Sequence, residues 1–528
     1  MLTLDRLQRV NAVHHFVDRN VDEGRGERVA FRTAGQVLSY RELLDLVQRA
    51  ANVLLHADTD YERRVLLVLP DSIEFVAFLW GAIRIGAVPV PVHTRLSVDD
   101  YAYICADCRP RVAIVAPEHA ETLATIRQQL TFPCIVMVAG AERAPEGTLP
   151  LEPLLAEAAP ACEVRPMSRD DMALIQYTSG STGMPKGVVH LHRGLLELPR
   201  GFGARLELRE DDLCFSAAKL FFGYGLGNSV LFPQSAGASA LLHAPPADPI
   251  GVFKTIDGFK PTVFFGSPSL YAAMLAVHGA EETFDLSSVR LCISAGEALS
   301  ASIFERWRQR FGMEILDGLG STECLHVFIS GEVGRLRPGC TGTVVPPYEV
   351  KLLDDQGTPV GPGEVGHVHV SGPANAARYW NRHDATQATM VGGWTRTGDL
   401  MGRDADGFYY FVGRTDDVLK VRGMKVSPLE IEERLVGHPA VRECAVVGAT
   451  SEEGVTTIHA YVRLDAGWQA GAPLKRELRE HLQRSLAAHK VPRVFEFVDE
   501  LPRSGTGKLA RYKLRERLAG GPSPVRGD

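Results

Sequence analysis

Nine cysteines in 528 residues are too few and too scattered for a disulfide framework. Cys105 and Cys108 form a Cys-x-x-Cys, but with no second pair and no neighbouring histidines they make a poor zinc site, and a structural role is expected. No run of about 18 apolar residues occurs, which removes the transmembrane-helix reading. The opening Met1-Leu-Thr-Leu-Asp-Arg-Leu-Gln-Arg9 lacks a continuous apolar segment, so no signal peptide is read and a cytoplasmic protein is expected. Basic charge is not in excess either. The formal net charge is -7, which argues against a general nucleic-acid binder. Internal repeats are missing as well. What remains, 45% hydrophobic and 23% charged residues, is the composition of a soluble globular chain. Its length exceeds what one hydrophobic core can use, so at least two domains are expected.

Through the first 400 or so residues, short apolar runs alternate with longer amphipathic stretches. Val65-Leu-Leu-Val-Leu, Val112-Ala-Ile-Val, Ile135-Val-Met-Val, Thr262-Val-Phe-Phe and Leu291-Cys-Ile-Ser read as buried parallel strands. Ser39 and Glu42 form a capping box ahead of a helix whose apolar positions Leu43, Val47, Ala50 and Leu54 share one face. The pattern predicts an α/β fold: a large N-terminal domain of mostly parallel sheets flanked by helices. Near residue 400 the chain becomes dense in charge and turn residues, and a compact β/α stretch follows. A boundary is expected at Thr415-Asp416, giving domains 1–415 and 416–519, the second a small mobile α+β domain. Residues 520–528 are expected to be a disordered tail.

The strongest chemical signal is Tyr177-Thr-Ser-Gly-Ser-Thr-Gly-Met-Pro-Lys-Gly187. Gly180, Gly183 and Gly187 let backbone approach a ligand closely. Thr178, Ser179, Ser181, Thr182 and Lys186 add hydroxyls and one positive charge, which suits a polyphosphate. A flexible linker is also rich in Gly and Ser, but this loop follows the apolar run Met172-Ala-Leu-Ile175 and carries a lysine. It is not a Walker loop, and neither is Gly505-Thr-Gly-Lys508, so kinase and P-loop ATPase readings are disfavoured.

With this loop the chain resembles the adenylate-forming superfamily of acyl- and aryl-CoA synthetases, luciferases and peptide-synthetase adenylation domains. Further matches follow in order along nearly the whole chain. Ser294-Ala-Gly296-Glu297-Ala298 resembles the adenine-side turn. Asp317, Gly318, Leu319, Gly320, Ser321 and Thr322 resemble the motif that closes over adenine, ending in a metal-linked Glu323. Asp399 and Arg414 resemble the ribose-binding pair, and Pro502-Arg-Ser-Gly-Thr-Gly-Lys508 the catalytic-lysine loop. The chemistry is coherent. A carboxylate attacking the α-phosphate meets like charge, which Lys508 would neutralise. Glu323 and Thr182 offer hard oxygen ligands for Mg²⁺ beside the phosphates of ATP. The plainer readings are a solvated Lys508, a surface ion pair for Asp399 and Arg414, and a helix-capping Glu323.

Within the superfamily, Ala218-Lys-Leu-Phe-Phe222-Gly223-Tyr224-Gly-Leu-Gly-Asn-Ser229, Leu319 and His326 resemble the benzoate-CoA ligase branch. The resemblance implies an aromatic acid in a pocket of Phe222, Gly223, Tyr224, Gly320 and His326; the plainer alternative is that the aromatics and the histidine are ordinary core. That branch usually has alanine where this chain has Gly223, so extra room for a ring substituent is expected. The resemblance further implies a hinge at Asp416 and a thiol tunnel formed by Lys420, Arg422, Gly423 and Lys425, though these cations could equally be solvated. The expected reaction is aryl-AMP formation with pyrophosphate release, then transfer to coenzyme A. Transfer to a phosphopantetheine carrier protein and an inactive nucleotide-binding scaffold remain the alternatives.

Overall fold

The computed structural model describes residues 9–141, 143–178, 184–421, 424–450, 456–503 and 509–519. It divides into two compact units, Met1–Val350 with His369–Thr397, and Lys351–Val368 with Gly398–Asp528. The boundary expected at 415/416 therefore lies inside the second unit, which takes in Asp399 and Arg414 on their paired strands.

The predicted strands are all present, at Arg64–Val68, Pro110–Val115, Ile135–Val138, Val263–Gly266 and Leu291–Ala295. They are distributed between two sheets. In the five-stranded one, Val88–Pro91, Arg64–Val68, Pro110–Val115, Ile135–Val138 and Leu149–Pro150 run parallel in that order. In the nine-stranded one, a parallel centre runs from Ile315–Gly320 through Leu291–Ala295, Val263–Gly266, Leu213–Ser216 and Ser239–Leu241 to Val29–Arg32, with antiparallel edges. Strands buried on both faces need apolar residues throughout, hence runs such as Val65-Leu-Leu-Val68, all fully buried.

Helix Tyr40–His56 starts at the predicted capping box: Ser39 Oγ accepts from the Glu42 amide while Glu42 accepts from Ser39 N at 2.7 Å. Leu43, Val47, Ala50 and Leu54 are buried as its spacing requires. Helix Ile73–Arg84 carries apolar residues almost all round, and it is buried nearly throughout. Its one buried charge, Arg84, is paired with Asp18 through two 3.0 Å bonds. Cys105 and Cys108 end helix Val98–Cys108 as core thiols, and burial pushes Cys105 up to about 12.

The second unit has its own core. Strands Val441–Thr450, Thr456–Leu464 and Val494–Phe497 form a mixed sheet. Helices Pro428–Val436 and Ala472–Gln483 bury Ile431, Leu435, Leu478 and Leu482 among its residues. Among the described residues, no helix is long and apolar enough to cross a membrane.

Candidate active site

The glycine-rich loop joins two antiparallel strands, Met172–Thr178 and Lys186–Leu191, with Thr178 opposite Lys186. Ser179, Gly180, Ser181, Thr182 and Gly183 lie outside the described residues. The two-residue strand Arg378–Tyr379 pairs with Lys186–Leu191 and puts Tyr379 opposite Val188. The Lys186 ammonium sits 5.1 Å from the Tyr379 ring centroid. The Tyr379 hydroxyl donates to Glu323 Oε1 at 2.7 Å. One tyrosine thus gathers the loop lysine and the candidate metal ligand, far apart in sequence. Burial and the Glu323 charge hold its phenol above the usual range. Sequence reasoning missed Tyr379.

The candidate adenine-side motifs lie at the carboxyl ends of parallel strands, where open α/β sheets bind ligands. Ser294 stands opposite Asp317 and Ala295 opposite Gly318. Gly296 turns the chain with φ of 95°, a conformation that favours glycine. Glu297 accepts from the Ser269 amide at 3.1 Å, and Ala298 is exposed. Leu319 pairs with Ile329, and Gly320 and Ser321 lead into the short turn Thr322–Cys324 that carries Glu323. Ser294 Oγ, Asp317 Oδ1 and Ser321 Oγ are buried with no hydrogen-bond partner among the described residues. Such atoms suit a ligand rich in donors and acceptors, as a purine nucleotide is.

Burial raises the Asp317 carboxyl to about 8, against the opposing pull of the Gly318 and Leu299 amides. Its unfolded value is near the ordinary 3.8. The neutral form therefore stabilises the fold at low pH, and this contribution is lost as pH rises towards 8. Asp317→Asn is expected to flatten the fall in stability between about pH 5 and 8. Denaturant unfolding without ligands checks it; parallel wild-type and variant profiles would count against a buried neutral acid.

Strand Leu213–Ser216 ends in the turn that carries the aromatic residues, and Gly223–Leu226 begins a helical run. Asp71 fixes this turn: its Oδ1 accepts from the Leu220 amide at 2.8 Å and its Oδ2 lies 3.6 Å from the Lys219 ammonium. Lys219 also donates to the Pro245 carbonyl at 2.7 Å, tying the turn to a second segment. Burial lifts the Asp71 carboxyl to about 6 and Lys219 opposes that shift. Phe221 and Phe222 pack edge to face at 4.8 Å. Tyr224 donates to the Gly266 carbonyl at 3.3 Å. The His326 ring stacks on Phe202 and lies 5.4 Å from Tyr224, with Nε2 3.3 Å from the Tyr224 carbonyl. That contact puts the proton on Nε2, and burial pushes the ring pKa down to about 3, so His326 is neutral.

The room expected at Gly223 is not there. A side chain at this position would run into the Leu325 carbonyl and come within 3.1 Å of Gln176 Oε1. Leu325, held at φ of 65°, is a non-glycine outlier beside the Ser-Thr-Glu turn. Glycine here permits a close approach of two backbones rather than opening the pocket.

In the second unit, Asp399 is buried opposite Arg414 and accepts from its guanidinium at 2.8 Å. Asp416 lies in the turn between strands Tyr409–Arg414 and Leu419–Val421, where Arg515 donates to its carbonyl at 3.1 Å. In the register of strands Leu419–Val421 and Met424–Val426, Lys420 is paired with Lys425; Arg422 and Gly423 lie outside the described residues. Lys508 is also outside them, between Arg503 and Leu509, which form a bridge.

No three His, Cys, Asp or Glu side chains converge as a metal cage among the described residues. A hard cation held by one carboxylate and substrate phosphates needs no such cage. Glu323, half-buried and with one oxygen engaged by Tyr379, fits that role.

Strand-end motifs, a hydroxyl-rich loop and a separate C-terminal unit define an α/β nucleotide-dependent enzyme. Residues 17–380 match the AMP-binding enzyme family and residues 430–508 the AMP-binding enzyme C-terminal domain. The chain belongs to this family. It is 42% identical to the 4-hydroxybenzoate–CoA/benzoate–CoA ligase of Rhodopseudomonas palustris over 98% of its own length and 95% of that protein. It is 40% identical to the benzoate–CoA ligase of Thauera aromatica, covering 96% of each chain. Its fold matches the crystal structure of the anthranilate CoA ligase AuaEII in complex with anthranoyl-AMP with a TM-score of 0.92 and 37% identity, over 98% of this chain and 99% of that one.

Proposed function

We infer that the protein joins an aromatic carboxylic acid to coenzyme A in two steps, through an aryl-adenylate. The acid carboxylate attacks the α-phosphorus of ATP, forming the aryl-AMP anhydride and releasing pyrophosphate. The thiol then attacks the acyl carbon and AMP leaves. The observation that carries this reading is the meeting of Lys186, Tyr379 and Glu323 at the glycine-rich loop, in a chain matching CoA ligases of benzoate and hydroxybenzoate over nearly its full length.

The residues divide the work by chemistry. Thr178, Ser179, Gly180, Ser181, Thr182, Gly183 and Lys186 would hold the phosphates, and Asp317 to Thr322 with Gly296 to Ala298 the adenine side. Asp399 and Arg414 would hold the ribose. Glu323 and Thr182 would bind Mg²⁺, which supplies charge neutralisation to the phosphates. Phe222, Tyr224, Gly320 and His326 would surround the ring, and Lys508 would face the developing phosphoryl charge. Asp416 would be the hinge.

Pyrophosphate release measured over a panel of aromatic and aliphatic acids with ATP tests the first step. Release with aromatic acids and not with acetate or fatty acids is the expected result; the reverse preference would sink the reading. Adding free CoA tests the second. Saturation within about 1 μM–1 mM, weakened in an Arg422→Ser/Lys425→Ala double variant, is expected. Loading of a carrier protein with no thioester from millimolar CoA would overturn the acceptor assignment.

A further inference from the structure

Gln176 is only 2% exposed, and neither its Oε1 nor its Nε2 has a hydrogen-bond partner among the described residues. Its neighbours in strand Met172–Thr178 explain the burial. Ile175 and Tyr177 point into the core around the five-stranded sheet, so by strand alternation Gln176 points the other way. There its Oε1 lies 3.1 Å from where a Gly223 side chain would begin, beside Tyr224. A carboxamide offers two donors and two acceptor lone pairs, and leaving such groups buried without partners is unfavourable. The Leu325 carbonyl packs against the same glycine, from a backbone with φ of 65°. One residue on, His326 Nδ1 is another buried acceptor with no partner among the described residues.

Resting on the aryl-acid reading above, we propose that Gln176 is a specificity-determining residue of the acyl pocket, pairing with a hydroxyl or amino substituent on the ring of the acid. A buried carboxamide with no partner among the described residues calls for a ligand group that forms hydrogen bonds, which hydroxyl and amino groups do and methyl, halogen or bare C–H do not. The consequence is asymmetric. An apolar pocket separates a substituent from its absence only weakly. A site whose buried polar groups are left unpaired by the wrong acid separates them strongly. Polar pairing, rather than spare volume at Gly223, then distinguishes substituted from unsubstituted benzoates.

The test uses the full chain, ATP and matched acids: benzoate, the hydroxy- and aminobenzoates, and the methylbenzoates with methyl at the same ring positions. Pyrophosphate release gives kcat/KM for each. In the wild type, one hydroxy or amino acid is expected to exceed its methyl isostere by at least about tenfold. In Gln176→Leu and Gln176→Met that ratio is expected to fall by on the order of tenfold. Because both acids are measured on the same preparation, any inactive fraction cancels from the ratio, and the methionine variant covers poor folding of the leucine one. A wild-type ratio near one, or a ratio unchanged in both variants while aromatic acids still turn over, overturns the role of Gln176 alone. No pyrophosphate release with any aromatic acid would overturn the aryl-acid reading as well.

Discussion

Alanine at Lys508 is expected to stop adenylate formation almost completely while leaving thioester formation from supplied aryl-AMP largely intact. The reason is electrostatic. In the first step a carboxylate approaches a polyphosphate, and negative charge builds on phosphoryl oxygens that a positive side chain would stabilise. A single positioned donor of this kind is worth about 2.7–4 kcal/mol when lost, or roughly 10²–10³ in rate. The second step involves no attack at phosphorus: the thiol attacks an acyl carbon already activated, and AMP departs with the bonding pair as a stable anion. Pre-formed aryl-AMP with CoA isolates that half-reaction, and pyrophosphate release isolates the first. Equal losses in both steps would mean that Lys508 supports the fold or the nucleotide generally rather than one transition state.

Much of the architecture is legible in the chain because its signals are local. Continuous apolar runs give parallel strands, and the Ser39–Glu42 box gives a helix start, since each is decided within a few residues. The nucleotide motifs are legible for a related reason: a turn that brings backbone to a ligand needs glycine and hydroxyls at fixed spacing. What escapes is set by distant partners. Tyr379 lies in a strand of two residues, too short for any periodicity, and only its pairing with Lys186–Leu191 carries it to Glu323. Asp71 follows an ordinary buried strand, and nothing near it announces that its carboxylate fixes the turn around Leu220. Gln176 interrupts the apolar run before the glycine-rich loop, but a polar residue in a strand reads as exposed until the fold buries it. Gly223 misleads for the same reason. The sequence registers a missing methyl group; whether that leaves space depends on Leu325, about a hundred residues away.

Restoring that methyl is the sharpest test of the packing. Gly223→Ala is expected to lower adenylation of every aromatic acid rather than to exchange one preference for another. The added carbon meets the Leu325 carbonyl, and a backbone neighbour cannot swing aside as a flexible side chain would. Leu325 already has φ of 65° and follows directly on the Thr322–Cys324 turn, so displacing it shifts Glu323 on one side and His326 on the other. Overpacking of a closed site costs about 1–3 kcal/mol, a loss of roughly 5- to 150-fold if it falls on the reacting geometry. Valine should cost more. Two readouts separate this from a simple pocket effect. Benzoate, which needs no room for a substituent, should lose activity along with the substituted acids. The KM for ATP should also rise, because the disturbed turn carries the candidate metal ligand. If instead the alanine enzyme handled benzoate as well as or better than the wild type, with only substituted acids excluded, the space at Gly223 would be open to substrate. The close approach to Leu325 would then not constrain the working enzyme.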